Sequence, residues 1–353
     1  MSESLRLAIV ANANSIHTIR WVNWLRKKGH HVSVFSLNES EDCVYFGPEP
    51  PLDRSLIFNL GSDVRKTTRK LQAAIDDFKP DIVHGFFLVN HGMYASRVKG
   101  YPKVVTALGS DVLLAPKESK LLSWIVKRTV KNANLVVSVA EHITQTILSW
   151  KNSHAKVITS PIGIDNEVFK PLKKKNHVIF TRGFKEIYEP LTLVKAISYL
   201  SSQIKDYHFT LCGDGPLLED CKTYTEENNL SDVIEFPGHI SNEELVELVG
   251  VSKVLVSPAL SDGTPVSILE GLACGCIIVS SDIPANRFWT LENKTGVLFR
   301  PEDYKDLGDK LIKVIKDENL SKTALIEGPD LVLKYADWSS CISDIEKQYF
   351  ELI

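Results

Sequence analysis

The sequence predicts an α/β protein made of two doubly wound units in series. Three observations carry that prediction. Short, almost wholly apolar runs alternate with helical periodicity along the whole chain. The alternation pauses once, near the middle. A length of 353 residues also exceeds what one ordinary core fills.

The first strand is LRLAIV, and SIHTIRWVNWLRKKGH follows with helical spacing and stops at Gly29. HVSVFSL is the second strand, and DIVHGF, KVVTAL and NLVVSV read as further short buried strands. Apolar residues on both faces of such strands imply a parallel sheet covered on both sides by helices. In SVAE, Ser138 with Glu141 three residues on predicts a capping box for the next helix. The stretch KVITSPIGIDNEVFKPLKKKN has two prolines, a glycine, a basic run and no periodicity, and is predicted to be the interdomain linker. Beyond it HVIFTRG, HFTLCG, VIEFPG, KVLVSPA, CIIVSS and GVLFR are predicted strands, alternating with helices such as EPLTLVKAISYL and NEELVELVG. Ligands of open parallel sheets sit beyond the carboxyl ends of the strands, so two facing sheets predict a site in the cleft between them. Neither an internal repeat nor a low-complexity tract interrupts this pattern.

Composition narrows the class. With 44% hydrophobic and 24% charged residues the chain reads as an ordinary globular protein. No apolar run approaches the ~20 residues of a membrane span. MSESLRLAIV lacks a long apolar region and a small-residue cleavage site, so no signal peptide and a cytoplasmic location are expected. Cys43, Cys212, Cys221, Cys274, Cys276 and Cys341 show no metal-ligand spacing, and buried thiols in a reducing compartment are expected. The net charge of −3 hides an asymmetry: residues 1–170 carry 22 Lys+Arg against 15 Asp+Glu, and residues 171–353 carry 19 against 29. A basic first half suggests an anionic partner there. A dinucleotide cofactor is excluded on two counts. The loop after the first strand, ANANSIH, has no glycine, and strand two ends Phe35-Ser36-Leu37 without the acid that would hold a ribose.

The ordered series NSIHTIRWVNWLRKKGHHV, DIVHG, ALGSDVL, SPIGIDNEVFKP, CGDGPL, FPGHIS, SDGTPVSILEGLACG, SDIPANRFW and YADW resembles, nearly end to end, the GT-B glycosyltransferases and, more narrowly, retaining glycosyltransferase family 4. The resemblance implies a Rossmann-like acceptor domain over 1–165, completed by a helix at 338–353 that packs back on it, and a Rossmann-like donor domain over 166–337. It implies that Asp262 and Glu270, separated by seven residues, are the family's donor-sugar signature, with Glu270 accepting from ribose hydroxyls and Asp262 holding the transferred sugar. Gly263, Thr264 and Pro265 then form a turn close to the sugar, and a helix from Val266, with Ser267 in its first turn, aims free N–H groups at the diphosphate. Small residues Gly271, Ala273 and Gly275 would let that helix lie close against the sheet. Arg182 in TRGF matches the diphosphate clamp, Gly213 and Gly215 match a turn that approaches the nucleotide, and His239 stands where the family contacts the base. Asp262, Arg182 and Glu270 are the residues expected to carry catalysis.

Three positions depart from the family pattern. Asp262 stands where Glu is usual. The lysine expected a few residues beyond Arg182 is replaced, an in-step match landing on Ile187-Tyr188, so that Lys185 supplies the second cation or Tyr188 hydrogen-bonds instead. Leu108 stands where many relatives have a histidine, which leaves Asn14, His17, His84, Ser110 and Asp111 as acceptor-side candidates, Asp111 having a plain alternative as a helix cap.

The resemblance implies transfer of a sugar from a nucleoside-diphosphate sugar, UDP favoured over GDP, to an acceptor hydroxyl with retention. No D-x-D sequence is present, and no metal or other cofactor is expected. A lipid-linked or glycan acceptor is expected, and no nucleic acid. PKESKLLSWIVKRTVKNAN joins Leu121, Leu122, Trp124, Ile125 and Val130 to Lys117, Lys120, Lys127, Arg128 and Lys131; with RKK at 26–28 and RKTTRK at 65–70 it suggests peripheral contact with an anionic membrane at its inner face, or an apolar core face with a solvated basic one. Two rival classes stay open: another GT-B activity, such as a nucleotide-sugar epimerase or a phosphorylase, and a non-catalytic partner subunit that keeps the fold.

Overall fold

The computed structural model describes residues 4–48, 63–150, 155–203 and 206–353. The chain divides into two compact units, Met1–Pro161 with Ile342–Ile353, and Ile162–Cys341. Helix Trp338–Phe350 therefore begins in the second unit and ends in the first.

In the first unit the strands are β1 (Arg6–Val10), β2 (His31–Ser36), β3 (Val44–Tyr45), β4 (Ile82–Phe86), β5 (Lys103–Ala107), β6 (Leu135–Ser138) and β7 (Lys156–Thr159). They form one parallel sheet of order β3-β2-β1-β4-β5-β6-β7. Helix Ile16–Lys27 ends as its periodicity predicts, with Gly29 at φ +94. Two predictions need correction. KVIT, the start of the predicted linker, is β7; as a four-residue edge strand it pairs only with β6, and its half-exposed side chains leave no apolar run to signal it. The Ser138–Glu141 capping box does not form. Ser138 is the last residue of β6, fully buried, and its hydroxyl donates to the Ala140 carbonyl, while helix Glu141–Leu148 has no side-chain cap.

The second unit holds β8 (Lys175–Phe180), β9 (His208–Cys212), β10 (Ile234–Gly238), β11 (Ser252–Ser257), β12 (Ile277–Ser281) and β13 (Gly296–Phe299), again all parallel, in the order β10-β9-β8-β11-β12-β13. One face packs Phe180, Phe184, Leu193, Ile197, Phe209 and Leu311; the other packs Ile179, Leu255, Ile268, Leu272, Ile278 and Trp289. Each such side chain contributes roughly 1.5–3 kcal/mol of burial. A capping box does occur here, at Ser241 and Glu244, where each side chain accepts from the other's backbone N–H.

Both sheets are doubly wound, the order reversing between β1 and β4 in one and between β8 and β11 in the other. Loops leaving the carboxyl ends of those strand pairs diverge and leave a crevice, which is where such sheets hold ligands.

Candidate functional site

At the reversal point of the second sheet, the segment after β8 carries Arg182 and the segment after β11 carries Asp262. Their side chains meet, Arg182 Nη2 lying 2.9 Å from Asp262 Oδ2, with 14% and 13% of the respective side chains exposed. The central carbon of the same guanidinium lies over the Tyr188 ring, 4.1 Å from its centroid. The other Asp262 oxygen accepts from the Gly263 N–H at 2.8 Å. Neighbouring loops are strapped together through their backbones. Phe184 donates to Asp214 O (2.9 Å), Leu217 to Phe184 O (3.0 Å) and Leu260 to Ile187 O (2.9 Å).

Gly213 and Gly215 have a purpose the sequence reading did not anticipate. At φ +127 and +153 they suit only glycine, and a Cβ on either would stand 2.5 Å from a carbonyl oxygen, that of Arg182 or Phe184. Their missing side chains let the loop after β9 pack on the loop that carries Arg182. Gly238, at φ +74, extends the contact, since its carbonyl accepts from Gly213 N–H at 2.8 Å. His239 follows it, exposed, and Lys185 is exposed beyond Arg182.

Helix Val266–Ala273 begins after Pro265, has no side-chain cap, and so presents N–H groups that lack intrahelical partners. Ser267 in its first turn is 4% exposed, and its hydroxyl has no hydrogen-bond partner. The hydroxyls of Thr181, next to Arg182, and of Ser257, the fully buried last residue of β11, are likewise unpartnered. A buried hydroxyl without a partner costs about 1–3 kcal/mol. Thr264 is used otherwise: its hydroxyl accepts from the Ile162 N–H at 3.1 Å. Glu270 lies part-exposed on the same helix. A Cβ on Gly271 would come within 2.9 Å of Leu255 and 3.0 Å of Ile278, so the small residue does bring the helix against β11 and β12. The helix ends in a paired turn, Cys276 N–H to Gly271 O and Gly275 N–H to Leu272 O, both 2.8 Å, with Gly275 at φ +69.

The acceptor-side candidates divide. Asn14, His17 and Ser110 are exposed on the loops and helix starts that follow β1 and β5. His84 and Asp111 are fully buried and leave that group. His84 Nδ1 is 2.6 Å from the Tyr349 hydroxyl and Nε2 is 2.7 Å from the Thr106 hydroxyl, and burial lowers its pKa to about 3. It is a neutral link between the sheet and the last helix. The carboxylate of Asp111 accepts from the N–H groups of Leu88 (2.9 Å), Leu108 (3.1 Å) and Gly109 (2.9 Å), while burial raises its pKa. It knits the loop after β4 to the turn after β5, including the position of Leu108.

Basic helix Lys120–Asn132 buries Leu122, Ile125, Val126 and Val130, and Ser119 caps it by accepting from Leu122 N–H. Its apolar face is therefore core. Trp124 remains 52% exposed beside Arg128, and Lys127 lies over the Trp150 ring. All six cysteines are free thiols, five of them buried. Among the described residues, no group of three or more His, Cys, Asp or Glu is placed to hold a metal ion, and no helix is long and apolar enough to cross a membrane. A cavity of about 460 Å³ lined by His177, Asp206, His208 and Asp232 opens at the amino ends of β8 to β10, the opposite end of the sheet from Arg182 and Asp262. The chemistry follows the loops, not this cavity: the fixed ion pair, the unpartnered hydroxyls and the free helix N–H groups all stand at the carboxyl ends.

Comparison with known proteins agrees with this reading of the fold. The family "Glycosyl transferases group 1" matches residues 164–327 and "Glycosyl transferase 4-like" matches residues 6–140. The chain is 26% identical to an uncharacterized glycosyltransferase, MJ1178, of Methanocaldococcus jannaschii, covering 77% of this chain and 76% of that one. It is 28% identical to an Escherichia coli UDP-Gal:alpha-D-GlcNAc-diphosphoundecaprenol alpha-1,3-galactosyltransferase, over 65% and 64% of the two chains. The crystal structure of Anabaena Alr3699/HepE in complex with UDP-glucose superposes with a TM-score of 0.79 at 12% identity, covering 99% of this chain and 100% of that one. At that identity the likeness speaks for the fold. Taken with the ordered motifs and the two family matches, it places the chain in the group 1, family 4-like glycosyltransferases of GT-B fold, enzymes that move a sugar from a nucleoside-diphosphate sugar to an acceptor.

Proposed function

We propose that the unit Ile162–Cys341 binds a UDP-sugar and that the enzyme transfers its sugar with retention and without a metal ion. The observation that carries this reading is the convergence, at one sheet reversal point, of Arg182, Asp262 and the open N-terminus of the helix that bears Glu270. Arg182 and the N–H groups of Val266 and Ser267 stabilise the leaving diphosphate, where a forked cation and fixed dipoles act most strongly on developing charge. Glu270 accepts from the ribose hydroxyls, and Asp262 from hydroxyls of the transferred sugar. Thr181, Ser257 and Ser267 bring hydroxyls that gain a partner when the donor is bound. His239 contacts the base through its main chain. The leaving phosphate oxygen takes the acceptor proton, so the protein needs no dedicated base. UDP is favoured because the E. coli relative and the Anabaena structure are both described with it.

The acceptor reading rests on the first unit. Its basic balance and the exposed Trp124 beside Arg128 suit an acceptor carrying lipid-linked phosphate, met at the inner face of an anionic membrane by an otherwise cytoplasmic protein. The relative from E. coli, named for a diphosphoundecaprenol acceptor, supports the same class. Asn14, His17 and Ser110 are the acceptor-side residues that remain.

Calorimetry with UDP, GDP and ADP tests the donor reading. UDP is expected to bind tightest, and Glu270→Ala to weaken it by roughly 1.5–3 kcal/mol through loss of a charged acceptor. UDP affinity unchanged by that substitution would remove Glu270 from the site. Co-sedimentation tests the membrane reading: binding to anionic but not neutral vesicles, released by salt, is expected, and Lys117, Lys120 and Lys127 all changed to Glu should abolish it while UDP affinity stays.

A further inference from the structure

We infer that Tyr188 is a positioning residue for Arg182: its ring holds the guanidinium in place while the arginine exchanges one anion for another. The inference rests on the donor reading above and extends it to one of the two residues, Ile187 and Tyr188, on which the family's lysine falls in step. Arg182 is held on two sides by different chemistry. Asp262 meets the guanidinium at Nη2, 2.9 Å away, and the Tyr188 ring lies under its central carbon, 4.1 Å from the ring centroid. A diphosphate and Asp262 compete for the same N–H groups, since both are anions that bind a guanidinium edge-on. Arrival of the diphosphate therefore takes Arg182 from Asp262 and leaves that carboxylate to accept from the sugar. Stacking on the ring uses the face of the guanidinium and not its N–H groups. It is the contact that survives the exchange, and it keeps the released arginine from swinging out to water.

The ring is itself firmly carried. Tyr188 ends the one-turn helix Glu186–Tyr188, donates its N–H to Lys185 O at 2.9 Å, and packs on the buried cluster around Phe180 and Phe184. Leu260 donates to Ile187 O at 2.9 Å, which ties this turn to the segment that holds Asp262. The exit from the turn is fixed as well: Glu189 sits in the left-handed region (φ 48, ψ 46), its carboxylate accepts from the Thr192 hydroxyl, and Pro190 opens the next helix. A flexible lysine at 188 would bring charge to the diphosphate; the tyrosine brings a fixed surface to the arginine.

The test is a double-mutant cycle read as UDP affinity by calorimetry, on the full chain. Tyr188→Leu should weaken UDP binding about 5- to 30-fold, the span expected for a largely desolvated cation–π contact. Tyr188→Phe, which keeps the ring and loses the hydroxyl, should weaken it less than about threefold. In an Arg182→Ala background, Tyr188→Leu should add less than about twofold, because the ring then has nothing to position. Tyr188→Met, of similar volume against the core, replaces Tyr188→Leu should the latter fail to fold. Equal losses in Tyr188→Phe and Tyr188→Leu would assign the effect to the hydroxyl and overturn the inference. So would a Tyr188→Leu loss of the same size with and without Arg182. Failure of the wild-type protein to bind UDP, GDP or ADP would instead overturn the donor reading, and this inference with it.

Discussion

The two units share a strand order and a reversal point but differ in what stands there. In the second, the loops beyond β8 and β11 present a mostly buried ion pair, three unpartnered hydroxyls and an uncapped helix start. In the first, two buried polar groups, one inside β4 and one beyond β5, are used by the protein itself. Asp111 is saturated by backbone N–H groups, and His84 is bonded on both ring nitrogens. One fold thus supplies the same position twice, with buried unpartnered hydroxyls at one and exposed Asn14, His17 and Ser110 at the other. Topology marks where a ligand fits, and only the unsatisfied groups say whether one is expected.

The sharpest way to break this comparison is to remove one polar group from each unit. Arg182→Ala should lower kcat/KM by about 10²–10³-fold, the usual effect of deleting one electrostatic stabiliser of a leaving group. Arg182→Lys should fall between, because the point charge survives and the fork does not. Asp111→Ala should do the reverse, costing about 2–4 kcal/mol of stability by leaving buried N–H groups unpaired, with UDP affinity retained. Thermal unfolding and calorimetry on the same samples decide it. Wild-type turnover in Arg182→Ala, or weakened UDP binding in a still-folded Asp111→Ala, would erase the distinction between the units.

Acid sharpens the same contrast. Burial lowers His84 to about 3 and His91 to about 4 in the first unit, and His177 to about 4 in the second. An unfolded histidine titrates near 6.5, so between 6.5 and the folded value the unfolded chain binds the extra proton. Stability from each group is complete above 6.5 and falls as pH drops below it, by about 1.4 kcal/mol per pH unit. Hydrogen exchange followed by unit from pH 7 to 4.5 should show the first unit opening sooner, His84 and His91 with His17, also lowered by desolvation, against His177 alone. His84→Gln should flatten that limb, and an unaltered slope would mean that other groups set it.

How legible this was in the sequence depended on what each signal recorded. Strand runs such as HVIF and KVLVS were plain because burial on both faces leaves them apolar throughout. KVIT was missed because an edge strand buries little. Asp262 and Glu270 were singled out by the family resemblance, yet nothing in it told that Asp262 would meet Arg182, since two loops 80 residues apart are brought together only by the sheet. Gly213 and Gly215 were read as a turn that approaches the nucleotide, and their missing side chains are also what lets the neighbouring loop pack close, which the spacing did not tell. His84 was offered as a site residue because its partners, Thr106 and Tyr349, lie far along the chain. A histidine inside an apolar strand says that a partner exists, and not which one.

The smallest expected effect concerns helix starts, where the predicted capping box at Ser138 does not form and one forms at Ser241. Ser138 and Glu141 have the spacing of a capping box, but so do Ser241 and Glu244, and only the second pair closes one. The difference is where the serine sits. Ser138 belongs to β6, so its φ and ψ serve the sheet and its hydroxyl turns to the Ala140 carbonyl. Ser241 follows the loop after β10 with φ −66 and ψ 162, the extended conformation from which a side chain reaches back to the first turn. Ser241→Ala should therefore cost about 1 kcal/mol and speed amide exchange in the first turn of helix Asn242–Val251. Glu141→Ala loses only surface hydrogen bonds to Gln145 and Thr159 and should stay within about 0.5 kcal/mol. Because His239 lies two residues before Ser241, the cap also holds the segment proposed to meet the base. UDP affinity in Ser241→Ala should fall slightly, by less than about threefold, while Glu141→Ala leaves it alone. Equal and negligible effects of both substitutions would mean that the cap seen at Ser241 contributes nothing to that segment's order.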